Sequence, residues 1–194
     1  MKPVWVLASL VLGACHAPVA SAPAPKPSVP KSQTALPDPV LTSHDGRQLR
    51  FHDELVRDRC VVIQFLYLNC ENICPPTTRR LQELQALLEP EEQRRWRFLS
   101  ISLDPGNDTP ESLAAFAARW QAPPGWLYLS GEPAAIADLR HALGERLALA
   151  SETGDPLTHS ASVIVGNDAR GDWRVLPSTM SAERMLATLR RLAR

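Results

Sequence analysis

Neither sign of charge predominates in this chain: 21 Lys and Arg stand against 21 Asp and Glu. The large single-sign field of a nucleic-acid binder is therefore missing, and no basic cluster is interleaved with aromatics. No nucleic-acid partner is expected. The apolar run at the N-terminus, Val4 to Leu12, is nine residues long, far short of the ~20 that a spanning helix needs. The C-x-x-C spacing of thiol redox catalysts is also missing around the chain's paired cysteines, Cys70 and Cys74. What remains is a chain of 194 residues, enough for one domain of ordinary size once its ends are set aside.

The first end reads as a targeting segment. Lys2 supplies the positive start, Val4 to Leu12 the apolar stretch, and Leu12-Gly13-Ala14-Cys15 follows directly. Small residues before a cysteine at that place look like a bacterial lipoprotein box, cleaved ahead of Cys15 and acylated on it. Residues 1–14 are the expected signal peptide; their removal takes away Lys2 alone and leaves a net charge of −1. Two or more acyl chains would give stable anchoring, whereas one holds only marginally.

Residues 16–39 carry seven prolines among Ala, Ser, Val and Lys. Such a segment has too little apolar surface to fold and tends toward extended polyproline II. At ~3.1 Å per residue it reaches on the order of 70 Å. Residues 15–39 are thus expected to be a lipidated cysteine and its tether, with His16 solvated, and residues 40–194 a single folded domain.

The domain is organised around Tyr67-Leu68-Asn69-Cys70-Glu71-Asn72-Ile73-Cys74-Pro75-Pro76. This stretch closes an apolar run, Val61 to Leu68, and opens an amphipathic one with Leu81, Leu84, Leu87 and Leu88. Two thiols at i and i+4 share one face if the turn is helical. A helix N-terminus also favours thiolate over thiol. Such a pair can exchange with a disulfide or hold a soft metal.

The remaining pattern is an alternation of strands and helices. Val40–Thr42 and Gln48–Phe51 flank His44-Asp45-Gly46 and read as a hairpin. Residues 60–68 read as a strand covered on both faces. A helix is expected over 76–89, then a strand over 97–103 in which Leu99, Ile101 and Leu103 alternate with Ser100 and Ser102. Thr109 is an N-cap and Pro110 a first helical residue, ahead of a stripe of Leu113, Phe116, Ala117 and Trp120. A short strand at 126–129 precedes a helix marked by Ile136, Leu139 and Leu143 and stopped by Gly144. A hairpin of 162–166 with 173–176 leads to a last helix, capped by Ser181, with Met185, Leu189 and Leu192 inward.

This order predicts an α/β, thioredoxin-like fold with an N-terminal β-hairpin and an inserted β-α unit. In that topology the strand at 162–166 runs antiparallel to 60–68 and begins where the other ends. His159, just before it, is thereby expected beside Cys70 and Cys74.

At this point the chain resembles the Sco/SenC family, copper-handling proteins of mitochondria and bacteria. The resemblance covers about residues 36–194 and rests on four places in order. They are Cys70 to Pro75, Ser102 to Glu111, Trp126 to Gly131, and His159-Ser160 before a strand. Leu68 departs from it, standing where the family usually has a small polar residue. The resemblance implies that Cys70, Cys74 and His159 bind one copper ion. Two thiolates and an imidazole are a soft, three-coordinate set that suits Cu(I), with Cu(II) also open; structural zinc normally takes a fourth protein ligand. It further implies a metallochaperone on the periplasmic side of a bacterial membrane. Its role would be delivery of copper to the copper A centre of cytochrome c oxidase during assembly, with oxidase subunit II as the recipient.

Other readings stand beside this one. The cysteine pair could be a structural disulfide, or the working pair of a thiol–disulfide oxidoreductase that reduces a copper-receiving partner. Copper sensing or storage is a third. A peroxidase lacks its Thr and Arg surroundings. Cys60 reads as a core residue, separated from Cys70 by a strand too long for the two to pair. His44, His52 and His141 read as surface or turn residues. Asp104 and Asp108 read either as turn formers or as docking groups near the metal.

Overall fold

Val40–Ser43 (β1) and Gln48–Arg50 (β2) form the N-terminal hairpin, with Leu41 opposite Leu49. The computed structural model describes residues 36–69, 74–148 and 162–194. Packing begins before the hairpin, because Leu36 is buried against Leu41 and Phe51 in one layer of the core. Phe51 was expected to end a strand but instead opens a π-helical turn, Phe51–Val56. The Asp38 carboxylate explains the change of backbone: it accepts from the amides of His52 at 2.7 Å and Asp53 at 3.2 Å. Those are the donors that a helix start leaves without partners.

Cys60–Leu66 (β3) follows, two residues shorter than the apolar run suggests. Cys74–Ala86 (α1) begins with Pro75 and Pro76 in its first turn, where a missing N–H costs nothing. Pro90–Arg95 (α2) was not anticipated; its start is held by the Glu89 amide donating to Glu92 at 3.0 Å. Trp96–Ser102 (β4), Pro110–Arg119 (α3) and Trp126–Gly131 (β5) come next. Thr109 does cap α3, accepting from the Ser112 amide at 3.3 Å.

Pro133–Ala148 (α4) does not stop at Gly144 but runs through it. A glycine ends a helix by turning left-handed, and Gly144 does not adopt positive φ as Gly46, Gly125 and Gly171 do. Ser162–Asn167 (β6), a 3₁₀ turn at Asp168–Arg170, Asp172–Pro177 (β7) and Ala182–Leu192 (α5) complete the described chain. Ser181 stands at the N-cap of α5, but its hydroxyl makes no capping bond to the backbone.

Among the described residues there is one sheet of seven strands, ordered β2-β1-β5-β4-β3-β6-β7. The central three strands are parallel, and β6 runs antiparallel to β3 with Val163 opposite Gln64 and Asn167 opposite Cys60. One core layer packs α1, α3 and α5 against Val62, Phe98, Trp126 and Val165. The other packs the π-helical turn and α4 against Val61, Ile63, Leu99 and Ile164. Each fully buried Leu, Ile, Val or Phe here contributes ~1.5–3 kcal/mol of transfer free energy. This is the α/β, thioredoxin-like arrangement with hairpin and inserted β5-α4 unit that the sequence predicts. Among the described residues no helix is long and apolar enough to cross a membrane.

Candidate metal site

A strand covered on both faces must deliver its functional groups at its end. β3 does so: Phe65 and Leu66 remain in the sheet, and Tyr67 and Asn69 then emerge into solvent. Leu66 is still held to the neighbouring strand, its carbonyl accepting from the Leu103 amide at 2.8 Å. Tyr67 is 47% exposed, one of three large apolar or aromatic side chains so exposed among the described residues. Leu68, half-buried, packs on the α1 layer.

Cys74 is the first residue of α1 and is buried among the residues packed beneath that helix. Cys70 and His159, its expected co-ligands, lie outside the described residues, as do Cys15 and His16. Accordingly, among the described residues no three His, Cys, Asp or Glu side chains gather closely enough to hold a metal ion.

A cleft of about 310 Å³ adjoins this strand end, lined by Tyr67, Leu68, Asn69, Asp104 and Asp108. The two aspartates are built into the loop that follows β4. Asp108 is 3% exposed and accepts from the Ser102 hydroxyl at 2.6 Å. Ser102 accepts in turn from the Asp104 amide at 2.9 Å. Both carboxylate oxygens of Asp104 are taken by the Asn107 side-chain amide at 2.9 Å. The turn-forming role expected of these residues is therefore realised, and they also form one wall of the cleft beside Tyr67.

The other sulfur and imidazole groups lie elsewhere. Cys60 is 5% exposed at the opposite end of β3, and burial raises its thiol pKa. The His44 Nδ1 accepts from the Tyr128 amide at 3.3 Å near the start of β5. His52 lies between Asp53 and Asp168, 3.4 and 3.5 Å from their carboxylates. His141 is exposed on α4. None of these four reaches the carboxyl end of β3.

Sequence reasoning missed the polar column beneath the site. Gln64, 2% exposed on β3, donates to the Ser100 hydroxyl at 2.7 Å, and the Trp126 indole donates to the same oxygen at 2.8 Å. The Gln64 amide also approaches the Thr78 hydroxyl of α1 at 3.5 Å. A glutamine inside an otherwise apolar strand was the available signal.

The SCO1/SenC family model matches residues 31–194. The SCO1 protein homolog of Bacillus subtilis is 30% identical over 134 residues, 68% of each chain. Among solved structures, copper-bound ScoI of Bradyrhizobium japonicum superposes with a TM-score of 0.62 at 21% identity, covering 81% of this chain and 99% of its own. BsSco belongs to the Sco family of cytochrome c oxidase assembly proteins, and a disulfide switch has been identified in it. It superposes with a TM-score of 0.63 at 23% identity, covering 81% of this chain and 92% of its own. The family model spans well over half of the sequence, and the 30% identical relative is covered over two thirds of its length: this chain belongs to the SCO1/SenC family.

Proposed function

We propose that this protein is a copper metallochaperone, with Cys70 and Cys74 as thiolate ligands and His159 as a neutral imidazole ligand. The observation that carries the reading is the register of β6 on β3. Val163 lies opposite Gln64, so the chain leaving Leu66 and the chain entering Ser162 meet at one end of the sheet. His159 is three residues before Ser162 in sequence, and Cys70 four after Leu66. Ligands of open α/β sheets gather outside the carboxyl ends of the parallel strands. A two-sulfur, one-nitrogen set suits Cu(I), and three protein ligands leave a position at which a recipient's thiolate or imidazole can enter.

The recipient in this reading is the copper A centre of cytochrome c oxidase, on subunit II, during assembly. The oxidase-assembly role of BsSco supports that choice. Acylation at Cys15 would hold the protein to a bacterial membrane on its periplasmic side, and the prolyl segment would let the domain search along it. Copper enters and leaves as cargo, so the protein need not be an enzyme.

The test is a titration of the reduced protein with Cu(I) against a competing chelator. Cys70→Ala and Cys74→Ala are expected to abolish tight binding, and His159→Ala to leave a weaker two-thiolate site. Equal affinity in all variants would overturn the reading. Turnover of a partner disulfide by metal-free protein, unimpaired by His159→Ala, would assign the cysteines to thiol reduction instead.

A further inference from the structure

The amino end of the sheet carries a concentration of positive charge that the metal site does not use. In the register of β3 on β4, Cys60 lies opposite Trp96 and Val61 opposite Arg97. The residues just before the two strands, Arg59 and Arg95, therefore emerge side by side. With Arg94 and Arg97 they line a cleft of about 400 Å³ whose other walls include Trp96 and Gln93, and no carboxylate lines it.

Asp58, Glu91 and Glu92 line the adjoining hollow, which Arg59, Arg94 and Arg95 also border. Glu92 is held by the guanidinium of Arg190 at 2.8 and 3.0 Å, and Glu54 accepts from the Arg50 amide at 2.7 Å. Among the described residues, Arg94 pairs with the exposed Glu91, and the charge of Glu92 lies close enough to act on Arg95. Arg95 donates to the Ala193 carbonyl at 2.9 Å and Arg97 to the Glu54 carbonyl at 2.8 Å. Arg97 is half-buried. Burial lowers its pKa first, and the neighbouring Arg59 and Arg47 lower it further. A partly desolvated guanidinium facing like charges is costly unless an anion joins it.

We infer that the cleft between Arg59, Arg94, Arg95 and Arg97 binds a phosphate group. The planar fork of a guanidinium matches two phosphate oxygens at once, and such charge-assisted bonds are about twice as strong as neutral ones. With Arg94 already paired to Glu91, the guanidinium groups of Arg59, Arg95 and Arg97 remain around a hollow that no carboxylate lines. The phosphate can come free in solution or on a lipid headgroup. β3 separates this cleft from the Tyr67 end by seven residues, about 20 Å at the rise of a strand. A headgroup bound here would therefore turn the Tyr67 end away from the bilayer.

The test uses the Cys15→Ser protein, which cannot be acylated at that position, at constant ionic strength. Pyrophosphate at about ten times its dissociation constant is expected to raise Tm by about 3 °C. In a parallel arm, vesicles of phosphatidylglycerol and phosphatidylcholine are compared with phosphatidylcholine alone by co-sedimentation. Arg59→Ala, an exposed change, and Arg97→Gln, which keeps a donor for the Glu54 carbonyl, are each expected to weaken binding about tenfold. A response to pyrophosphate alone assigns a soluble phosphate; co-sedimentation that both variants lose assigns a headgroup. No response in either arm, or one that both variants retain, overturns the inference. Cu(I) affinity, which neither arginine touches, stays at its parent value in both variants.

Discussion

The side-chain amide of Gln64 and the hydroxyl of Ser100 meet at 2.7 Å between two parallel strands, both residues sealed from solvent. Ser100 Oγ also receives the Trp126 indole N–H at 2.8 Å, so one small oxygen satisfies two buried donors. Ser100→Ala removes the acceptor and leaves both donors in a dry layer. The expected loss of stability is about 2–4 kcal/mol, read as a lower urea midpoint at unchanged slope. A cycle with Trp126→Phe should show coupling, since that change deletes one of the donors first. Strict additivity of the two losses would mean that the oxygen does not link them.

Tyr128 presents the opposite case. Its ring is fully buried, stacked on Trp126 with centroids 5.8 Å apart, and its hydroxyl finds no hydrogen-bond partner among the described residues. Tyr128→Phe should therefore be neutral or stabilising, by up to about 1 kcal/mol. Burial also raises the phenol pKa well above its ordinary value. A group raised on folding contributes stability below its unfolded pKa and loses it as pH climbs toward the folded value. The phenylalanine variant should then gain most over the parent above pH ~10, measured by denaturant midpoints from pH 8 upward. A variant that is less stable throughout would show that the hydroxyl does have a partner.

The order of strands and helices was legible because each element carries its own period, from the run of Val61, Val62 and Ile63 to the Thr109-Pro110 start of α3. What the period could not give was exposure. Ser100 and Ser102 alternate with Leu99 and Ile101 like the wet face of an edge strand, yet all four are buried. Helices cover both faces of β4, and the serines are tolerated because Gln64, Trp126 and Asp108 pair with them. Gly144 misled for a related reason. A glycine costs a helix about 1 kcal/mol relative to alanine, too little to end α4. At the site, the Cys74 position at the head of α1 and the approach of β6 to the end of β3 followed from spacing and topology. The arginine cleft did not, because Arg59 and Arg94–Arg97 are far apart in sequence and only the register of β3 on β4 joins them.

Gly166 shows how closely two strands can demand a missing side chain. It pairs with Trp173 across β6 and β7, and a Cβ placed there would stand 2.3 Å from the indole ring. Trp173 is buried in the α4 layer and has little room to give way. Gly166→Ala is expected to cost about 1–3 kcal/mol through overpacking. Combining it with Trp173→Leu should recover part of that loss, since the smaller side chain vacates the space. If the double variant is as unstable as the two losses added, the clash is not the cause.

Glu92 ties α2 to α5. Its carboxylate receives both the Nε and an Nη of Arg190, at 2.8 and 3.0 Å, and the Glu89 amide at 3.0 Å. These bonds, the guanidinium first, lower its pKa from 4.5 to about 2. A carboxyl lowered on folding contributes stability above its unfolded pKa and loses it as pH falls through the folded value. The contribution of Glu92 should therefore be complete above pH 4.5 and gone below about pH 2. Arg190→Ala returns the carboxyl toward its ordinary range, so the variant should trail the parent near neutrality and converge with it as the solution is acidified. The gap should also narrow with salt, because the Arg190 side chain is exposed and the pair is screened from that side. Denaturant midpoints of the two proteins between pH 6 and pH 2 decide the matter, and a gap of constant size would assign the loss to packing of the arginine stem on α2 rather than to its charge.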